Sequence, residues 1–208
     1  AAGKLLGLDI QDPLYSLIRD ASIQTADLSM QIEKQRQHDL SLQPFSWIAY
    51  NNLVVTHVER ETADYFSLYL SSPNEYELPH YKAGQYIAVS IQLPFVQHSI
   101  SRLYALSGNP SVGDYRITVN KSEGRLISDY LSSLRAGSKV GIYMPCGTFE
   151  VDYSCKQHVF VSEESGMPAV MSMLYECNTN NVCSEQVLNI QLNSCPSGHE
   201  IFRDELIL

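Results

Sequence analysis

The sequence that decides the fold is RLYALS, residues Arg102–Ser107, with YKAGQY at Tyr81–Tyr86 before it and GRLIS at Gly124–Ser128 after it. On a strand, Arg102 and Tyr104 share one face because successive side chains alternate between the two faces. A guanidinium holds a phosphate with a planar fork, and a phenol ring offers a flat surface to a heterocycle. The pair therefore suits a flavin nucleotide.

A helix predicted to begin near Leu126 adds to this candidate site. Its first N–H groups and the positive end of its dipole attract an anion. Ser128 follows within the first turn, where its hydroxyl could donate a further hydrogen bond to the same pyrophosphate. An arginine and a tyrosine on one strand are by themselves an ordinary surface pair. The flavin hypothesis therefore depends on the flanking motifs.

From Trp47 onward, short runs alternate between two sets of side chains with a period of two. The alternation predicts strands with one buried face, as in Tyr65–Leu70, Ile87–Ile91 and Tyr115–Val119. Turn residues such as Asn109, Pro110 and Gly113 separate these runs at intervals suited to a compact antiparallel barrel or sandwich. One helix interrupts the strands, with apolar residues at helical spacing from Ile127 to Leu134 and a stop at Gly137.

The segments on either side of the barrel have a different texture. Residues 1–45 carry apolar residues at helical spacing and predict a helical segment, either a linker or the tail of an upstream domain. After Asp152 the pattern predicts a strand at His158–Ser162, a helix at Pro168–Cys177 and a strand at Val187–Leu192. Alternating strand and helix predict the opening of a parallel α/β sheet, but two strands are too few for a stable sheet covered on both faces.

Composition excludes several classes of protein. The formal net charge of -9, with no cluster of Lys and Arg, argues against a nucleic-acid partner. No apolar run is long enough to span a bilayer. The 5 cysteines show no CxxC spacing, so we expect no disulfide framework or metal site, and reduced thiols in a cytoplasmic protein. The start at Ala1 lacks a Met and a basic segment, so we expect an interior point of a longer protein rather than a signal peptide.

The order of the motifs resembles the FAD-binding domain of the ferredoxin-NADP reductase superfamily, and in particular the reductase half of flavohaemoglobins. In that family an RxYS(L/T)S run follows a GQY strand, and a glycine-led helix start and a Pro-x-Gly-x-Phe turn come after it. This chain shows all four elements, the last at Pro145–Phe149, and the resemblance runs from Trp47 to the end of the chain. It implies a Greek-key antiparallel flavin barrel followed by a partial nucleotide-binding α/β domain, with boundaries at 1–45, 46–153 and 154–208.

The resemblance also implies the site. Arg102 would hold the pyrophosphate and Tyr104 would pack on the isoalloxazine. Ala105 stands where the family usually has Ser or Thr near the flavin N5 edge, so we expect binding to survive and hydride transfer to slow. The predicted cofactor-binding residues are Tyr86, Arg102, Leu103, Tyr104, Ala105, Val119, Lys121, Gly124, Arg125, Leu126, Ile127 and Ser128.

The nucleotide segment departs further from the family pattern. The strand and helix normally written SGGxGxTP and LSML appear here with Glu163 and Glu164 in place of two glycines and Pro168 in place of the Thr. Two carboxylates would crowd and repel a diphosphate, although they can also be simple solvated loop residues. Ser197–Leu206 resembles the family's next helix, commonly HAFRDEL. We expect His98 to be exposed rather than close to the flavin phosphate, and Cys195 to be a buried or idle thiol.

Two functions follow as hypotheses. The first is an FAD-dependent oxidoreductase that passes electrons from NAD(P)H to an acceptor protein or upstream domain, and FMN in place of FAD stays open. The second is a flavin-binding or interaction module with no hydride chemistry, favoured by the two glutamates and by Ala105, which leave NAD(P)H doubtful. The catalytic residues are unknown at this point. The open edge of the short sheet predicts possible homodimerisation.

Overall fold

The computed structural model describes residues 50–74, 77–92, 99–122, 125–180, 187–192 and 201–206, together with scattered positions between 16 and 34. The scattered positions between 16 and 34 are helical, as the sequence pattern predicts for this segment. In the part described, no helix is long and apolar enough to cross a membrane. Gly124, His98 and Cys195 lie outside the described residues.

The described residues from Asn51 onward form strands interrupted by two helices. The strands are β1 Asn51–Arg60, β2 Tyr65–Ser71, β3 Tyr86–Ile91, β4 Ile100–Ala105, β5 Tyr115–Asn120, β6 Lys139–Ile142, β7 His158–Glu163 and β8 Val187–Leu192. The helices are α1 Arg125–Ser133 and α2 Met167–Thr179.

Strands β1 to β6 form an antiparallel sheet in the order β4-β3-β6-β1-β2-β5. The two outer strands of this order approach each other, because Leu106, just after β4, makes an antiparallel bridge to Ile117 of β5. The sheet therefore curves toward closure as a barrel. Its interior is apolar, with Leu53, Val55 and Ile87 each at most 1% exposed. The predicted antiparallel barrel, followed by an α/β segment, is confirmed.

Strand β2 corrects the prediction of one buried face. Tyr65 and Ser67 belong to the set that should face solvent, yet they are 5% and 0% exposed. Tyr65 is buried because it packs in a second core with the start of α2 and the end of the described chain. The other buried members of that core are Met167, Val170, Met171, Ile201 and Phe202.

The α/β segment begins as the pattern predicts. Strands β7 and β8 pair in parallel, with Phe160 opposite Asn189, and α2 follows β7. The predicted helix at the end is wrong for its described part, because Ile201–Leu206 forms hydrogen-bonded turns rather than a helix. Phe202 has φ of 59° there, which interrupts a right-handed helix.

Candidate functional site

A cleft of about 120 Å³ lies where the barrel meets the residues before and at the start of α2. Its barrel wall comes from the end of β4 and from β2 and β5, and its other wall comes from Ser165 and Pro168. The structure therefore brings three of the predicted site residues together with the α/β segment. The barrel-side residues are Tyr65, Leu103, Tyr104, Ala105, Thr118 and Asn120.

Strand β4 presents its side chains at an edge of the sheet. Arg102 pairs with Val89 and Tyr104 pairs with Ile87 across the ladder to β3. Arg102 is exposed, and no described carboxylate forms an ion pair with its guanidinium. Leu103 is 63% exposed beside it. Leu103 lines the cleft, whereas Arg102 is exposed on the same strand and is not among the residues that line it.

Two of the motifs form one packed unit behind β4. Tyr86 N donates to Cys146 O and Cys146 N donates to Tyr86 O, both at 2.9 Å. A Cβ on Gly147 would lie 3.1 Å from the Tyr86 ring, and a Cβ on Gly84 would lie 2.0 Å from the Phe149 carbonyl oxygen. Both glycines have positive φ, at 87° and 118° for Gly84 and Gly147. Their small size lets the GQY strand and the Pro-Cys-Gly-Thr-Phe turn meet, and this contact positions Tyr86, which pairs with Ala105.

The predicted residues around the start of α1 divide between surface and interior. Leu126 is 63% exposed, whereas Val119 and Ile127 are buried. The Lys121 ammonium donates to the Ala63 carbonyl at 3.3 Å. The backbone of Arg125 begins α1.

The predicted donation from Ser128 to a pyrophosphate competes with a hydrogen bond inside the chain. The Ser128 hydroxyl is buried and donates to the Lys121 carbonyl at 2.8 Å. A serine hydroxyl carries one proton, so this bond uses the donor that the sequence pattern assigns to a pyrophosphate. Ser128 instead ties the first turn of α1 to the end of β5.

A buried polar network beside the cleft was missed from the sequence. Thr118 Oγ1 lies 2.9 Å from Ser67 Oγ and 2.9 Å from Ser107 Oγ. Ser67 donates to a Glu61 carboxylate oxygen, and Arg116 Nε donates to Ser107 Oγ at 3.2 Å. Because Ser67 donates its one hydroxyl proton to Glu61, Thr118 donates to Ser67. The proton of the Ser107 hydroxyl is shared between two acceptors, Thr118 Oγ1 and the Arg116 carbonyl, which lies 3.3 Å away. The signal in the sequence is polar residues at the buried positions of two paired strands, since Ser67 lies opposite Thr118 in the register.

Glu61 and Arg116 of this network, and Tyr175 near Arg116, have shifted pKa values. Burial raises the pKa of Glu61, and the hydrogen bond from Ser67 and the charge of Arg116 offset only part of this effect. Burial, assisted by the hydrogen bond to Glu205, raises the pKa of Tyr175 to about 12. Burial lowers the pKa of Arg116. The hydrogen bonds to Glu205 and Tyr69 together raise this pKa by more than burial lowers it, so the net shift is upward. Arg116 is therefore a permanent buried cation.

Comparison with known proteins places the barrel in a family. The family model described as the oxidoreductase FAD-binding domain matches residues 52–151. This part of the chain belongs to that family. Flavohemoproteins are similar over a longer stretch. That of Halalkalibacterium halodurans is 33% identical over 181 residues, 83% of this chain and 44% of the relative. That of Bacillus subtilis is 34% identical over 151 residues, 72% of this chain and 37% of the relative. The chain thus spans less than half the length of these relatives.

Solved structures share the fold. The FAD/NAD-binding domain of nitric oxide dioxygenase from Vibrio cholerae superposes with a TM-score of 0.70 at 23% identity, over 76% of this chain and 68% of that one. A ferredoxin NADP+ reductase from Neisseria gonorrhoeae with bound FAD and NADP gives a TM-score of 0.62 at 18% identity, over 76% of this chain and 63% of that one. Both matches cover a larger share of the chain than residues 52–151 do.

The start of α2 is poorly equipped to receive a diphosphate. Glu163 ends β7 and is exposed, and Glu164 follows it in the turn. The Gly166 N–H already donates to the Glu163 carbonyl at 3.0 Å, and the Met167 N–H donates to the Glu164 carbonyl at 3.3 Å. Pro168 has no N–H to give. The usual anion-binding groups of a helix N-terminus are therefore mostly occupied or missing, and two carboxylates lie beside them.

Proposed function

We propose that this chain is an FAD-dependent oxidoreductase module that passes electrons from a nicotinamide nucleotide to an acceptor protein or domain. The observation that carries the proposal is the cleft. Three consecutive residues of the flavin motif, Leu103–Ala105, line it together with β5 and the start of α2, within a chain whose barrel belongs to an FAD-binding family. Flavin and nucleotide would meet at such a junction.

The residues present fit FAD in their chemistry. Arg102 is an exposed cation without an ion-pair partner among the described residues, and it suits the pyrophosphate. Tyr104 is half-buried in the cleft and supplies an aromatic ring for the isoalloxazine. The remaining proposed contacts are those that the resemblance to the flavin family assigns. They are Tyr86, Leu103, Ala105, Val119, Lys121, Gly124, Arg125, Leu126, Ile127 and Ser128.

Bound FAD supplies the redox chemistry, because it accepts a hydride and returns electrons singly or in pairs. The chain's own residues bind and orient the cofactor and exclude water. Ala105 and Pro168, on opposite walls, offer no proton to a ring between them. The hydroxyl of Thr118 donates to Ser67 within the network, so its proton is not directed at the ring. We therefore expect slow hydride transfer relative to a cleft with Ser and Thr at these positions.

The proposed division is a helical segment at 1–45, an FAD-binding barrel at 46–153 and a nucleotide-binding-like segment at 154–208. Relatives named flavohemoproteins favour an acceptor in the same polypeptide or complex. A cytoplasmic location and a homodimer are parts of the same proposal.

Flavin binding and reduction test the proposal directly. The purified chain is mixed with FAD, separated from free flavin and examined for the yellow flavin spectrum. NADH or NADPH is then added without oxygen, with dithionite as the reference for full reduction. Bleaching by either nucleotide supports the oxidoreductase. A spectrum that only dithionite bleaches favours a flavin-binding module without hydride chemistry, and a colourless protein that rejects FAD contradicts both.

A matched pair of variants locates the ring. Y104A should weaken FAD binding, because it removes the aromatic surface of the cleft. Y50A removes an exposed tyrosine of the barrel that does not line the cleft, and it should bind FAD like the wild type. Equal affinities for the two variants would contradict the assignment of Tyr104.

A further inference from the structure

Arg116 on β5 occupies an unusual position for an arginine. Its side chain is 5% exposed, and it lies where the barrel meets the α/β segment. An unpaired buried cation is strongly unfavourable, so the groups around a buried arginine must satisfy its charge and its five N–H donors. The contacts of Arg116 divide into two sets, one on each side of the cleft.

The first set belongs to the barrel. Arg116 NH2 donates to the Ser107 carbonyl at 2.6 Å and Arg116 Nε donates to Ser107 Oγ at 3.2 Å. Ser107 Oγ in turn lies 2.9 Å from Thr118 Oγ1. Thr118 lines the cleft, and Ser107 follows the β4 residues that line it. Arg116 is thus linked to Thr118 on the barrel wall of the cleft by two hydrogen bonds in series, through Ser107 Oγ.

The second set belongs to the α/β segment. Arg116 NH1 donates to Glu205 Oε1 at 2.7 Å. The guanidinium carbon lies 4.7 Å from the centre of the Phe202 ring and 5.8 Å from the centre of the Tyr175 ring. Tyr175 also donates to the other carboxylate oxygen of Glu205. Tyr175 is on α2, so these contacts tie Arg116 to that helix. The start of the same helix provides Pro168, on the opposite wall of the cleft.

We propose that Arg116 is a positioning residue that holds the two walls of the cleft in register, through Ser107 on the barrel side and Glu205 on the α2 side. The inference rests on the proposed function, because it assigns the cleft to the flavin. Arg116 itself does not line the cleft, so its effect on a bound ring passes through Thr118 and α2. A lysine cannot replace it, because a single ammonium cannot reach Ser107 O, Ser107 Oγ and Glu205 with the fork geometry of a guanidinium.

The test uses the full chain and four variants, R116M, R116K, S107A and E205Q, with R135M as the matched control. Arg135 is exposed, and among the described residues its guanidinium donates to the nearby carbonyls of Ser132 and Leu134. Two quantities are measured for each protein. One is the FAD dissociation constant with the absorption spectrum of the bound flavin, and the other is amide hydrogen exchange of the flavin-free protein.

R116M should weaken FAD binding about tenfold, which corresponds to about 1.4 kcal/mol, and should alter the shape of the bound flavin spectrum. It should also speed exchange in α2 and in Ile201–Leu206 while β1 to β3 keep their protection. E205Q should speed exchange in the same two segments. S107A should weaken FAD binding without that change in exchange. R116K should restore exchange protection in α2 more than it restores FAD affinity, and R135M should match the wild type in both.

The outcomes separate the inference from the proposed function. R116M with wild-type affinity, spectrum and exchange overturns the inference. If R116M does not fold, E205Q and S107A test the inference in its place. Wild-type FAD affinity and wild-type exchange in both of these variants overturn the inference. A wild-type chain that takes up no FAD contradicts the proposed function. The role of Arg116 is then tested by amide hydrogen exchange alone, because that measurement needs no flavin. In that case, unchanged protection of α2 in E205Q refutes the role of Arg116.

Discussion

Gly84 lies in the motif that precedes β3, and its replacement by alanine should be strongly destabilising for two separable reasons. Its φ of 87° lies in the left-handed region, where a residue with a Cβ is disfavoured by about 1–2 kcal/mol. An added Cβ would also lie 2.0 Å from the Phe149 carbonyl oxygen and 2.4 Å from Met173 Cε. The methionine end can move aside, but the carbonyl belongs to the turn that packs behind Tyr86.

Two other glycines isolate these contributions. Gly137 has a φ of 89° with nothing within 4 Å of the added Cβ, so G137A carries only the backbone strain. Gly113 has neither a positive φ nor a neighbour within 4 Å, so G113A should be neutral or slightly stabilising, by up to about 1 kcal/mol, because alanine restricts the unfolded chain. The three variants should therefore rank, from most to least stable, G113A, G137A and G84A.

The magnitudes follow from the same comparison. For G137A we expect a loss of about 1 kcal/mol, since the strain is partly offset by the reduced entropy of the unfolded chain. For G84A, forced displacement of packed atoms adds about 1–3 kcal/mol, for a total of about 2–4 kcal/mol. Urea unfolding followed by circular dichroism measures all three free energies of unfolding. A G84A variant no less stable than G137A would refute the packing argument and the contact between the two motifs.

The remaining predictions concern the cleft and its network. R102Q should weaken FAD binding about tenfold and reduce its salt dependence, measured by flavin fluorescence at several ionic strengths; an unchanged affinity removes Arg102 from the pyrophosphate site. A105S should speed anaerobic flavin bleaching by NADH or NADPH, because it adds a hydroxyl to the cleft wall, and an unchanged or lower rate argues against a missing donor there. The double variant E163G/E164G should bind NADH or NADPH about tenfold more tightly by equilibrium titration, because it removes two negative charges beside α2. Glu61 has a raised pKa in the folded state, so the stability it contributes is present below its ordinary pKa and is lost as pH rises through the folded value. E61Q should therefore lose less stability than the wild type as pH rises above the ordinary carboxyl pKa, measured by urea unfolding at a series of pH values. A pH curve parallel to that of the wild type contradicts the shift.

The local pattern predicts the elements because it depends on neighbours in the chain. Strands β2, β3 and β5 and helix α2 lie within a few residues of the runs that predict them, since a period of two or of 3.6 is a property of consecutive residues. The glycines of the GQY and Pro-Cys-Gly-Thr-Phe motifs are also visible in the sequence. Their mutual contact is not, because Gly84 and Phe149 are distant in the chain.

In the candidate site, too, some features follow from the local sequence and others only from tertiary contacts. Leu103, Tyr104 and Ala105 are consecutive, so the motif alone brings them to one place, and the structure puts them in one cleft. The sequence pattern assigns Ser128 to a ligand by its position at a helix start, and the structure shows that its hydroxyl also has an acceptor in the Lys121 carbonyl seven residues earlier. The competition between a ligand and a nearby backbone acceptor depends on the fold of the loop, which a motif does not describe.

The sequence by itself determined the barrel, the order of its motifs and the residues at the end of β4, because periodicity and glycine positions act locally. Only the tertiary structure decided that β2 is buried on both faces and that Arg116 has Ser107 on one side and Glu205 on the other. Arg116 and Glu205 are 89 residues apart, and a charge can be buried only where the folded chain brings its partners to it. The contact between the Phe202 ring and the Arg116 guanidinium likewise joins residues that are distant in the chain, and no local pattern specifies it.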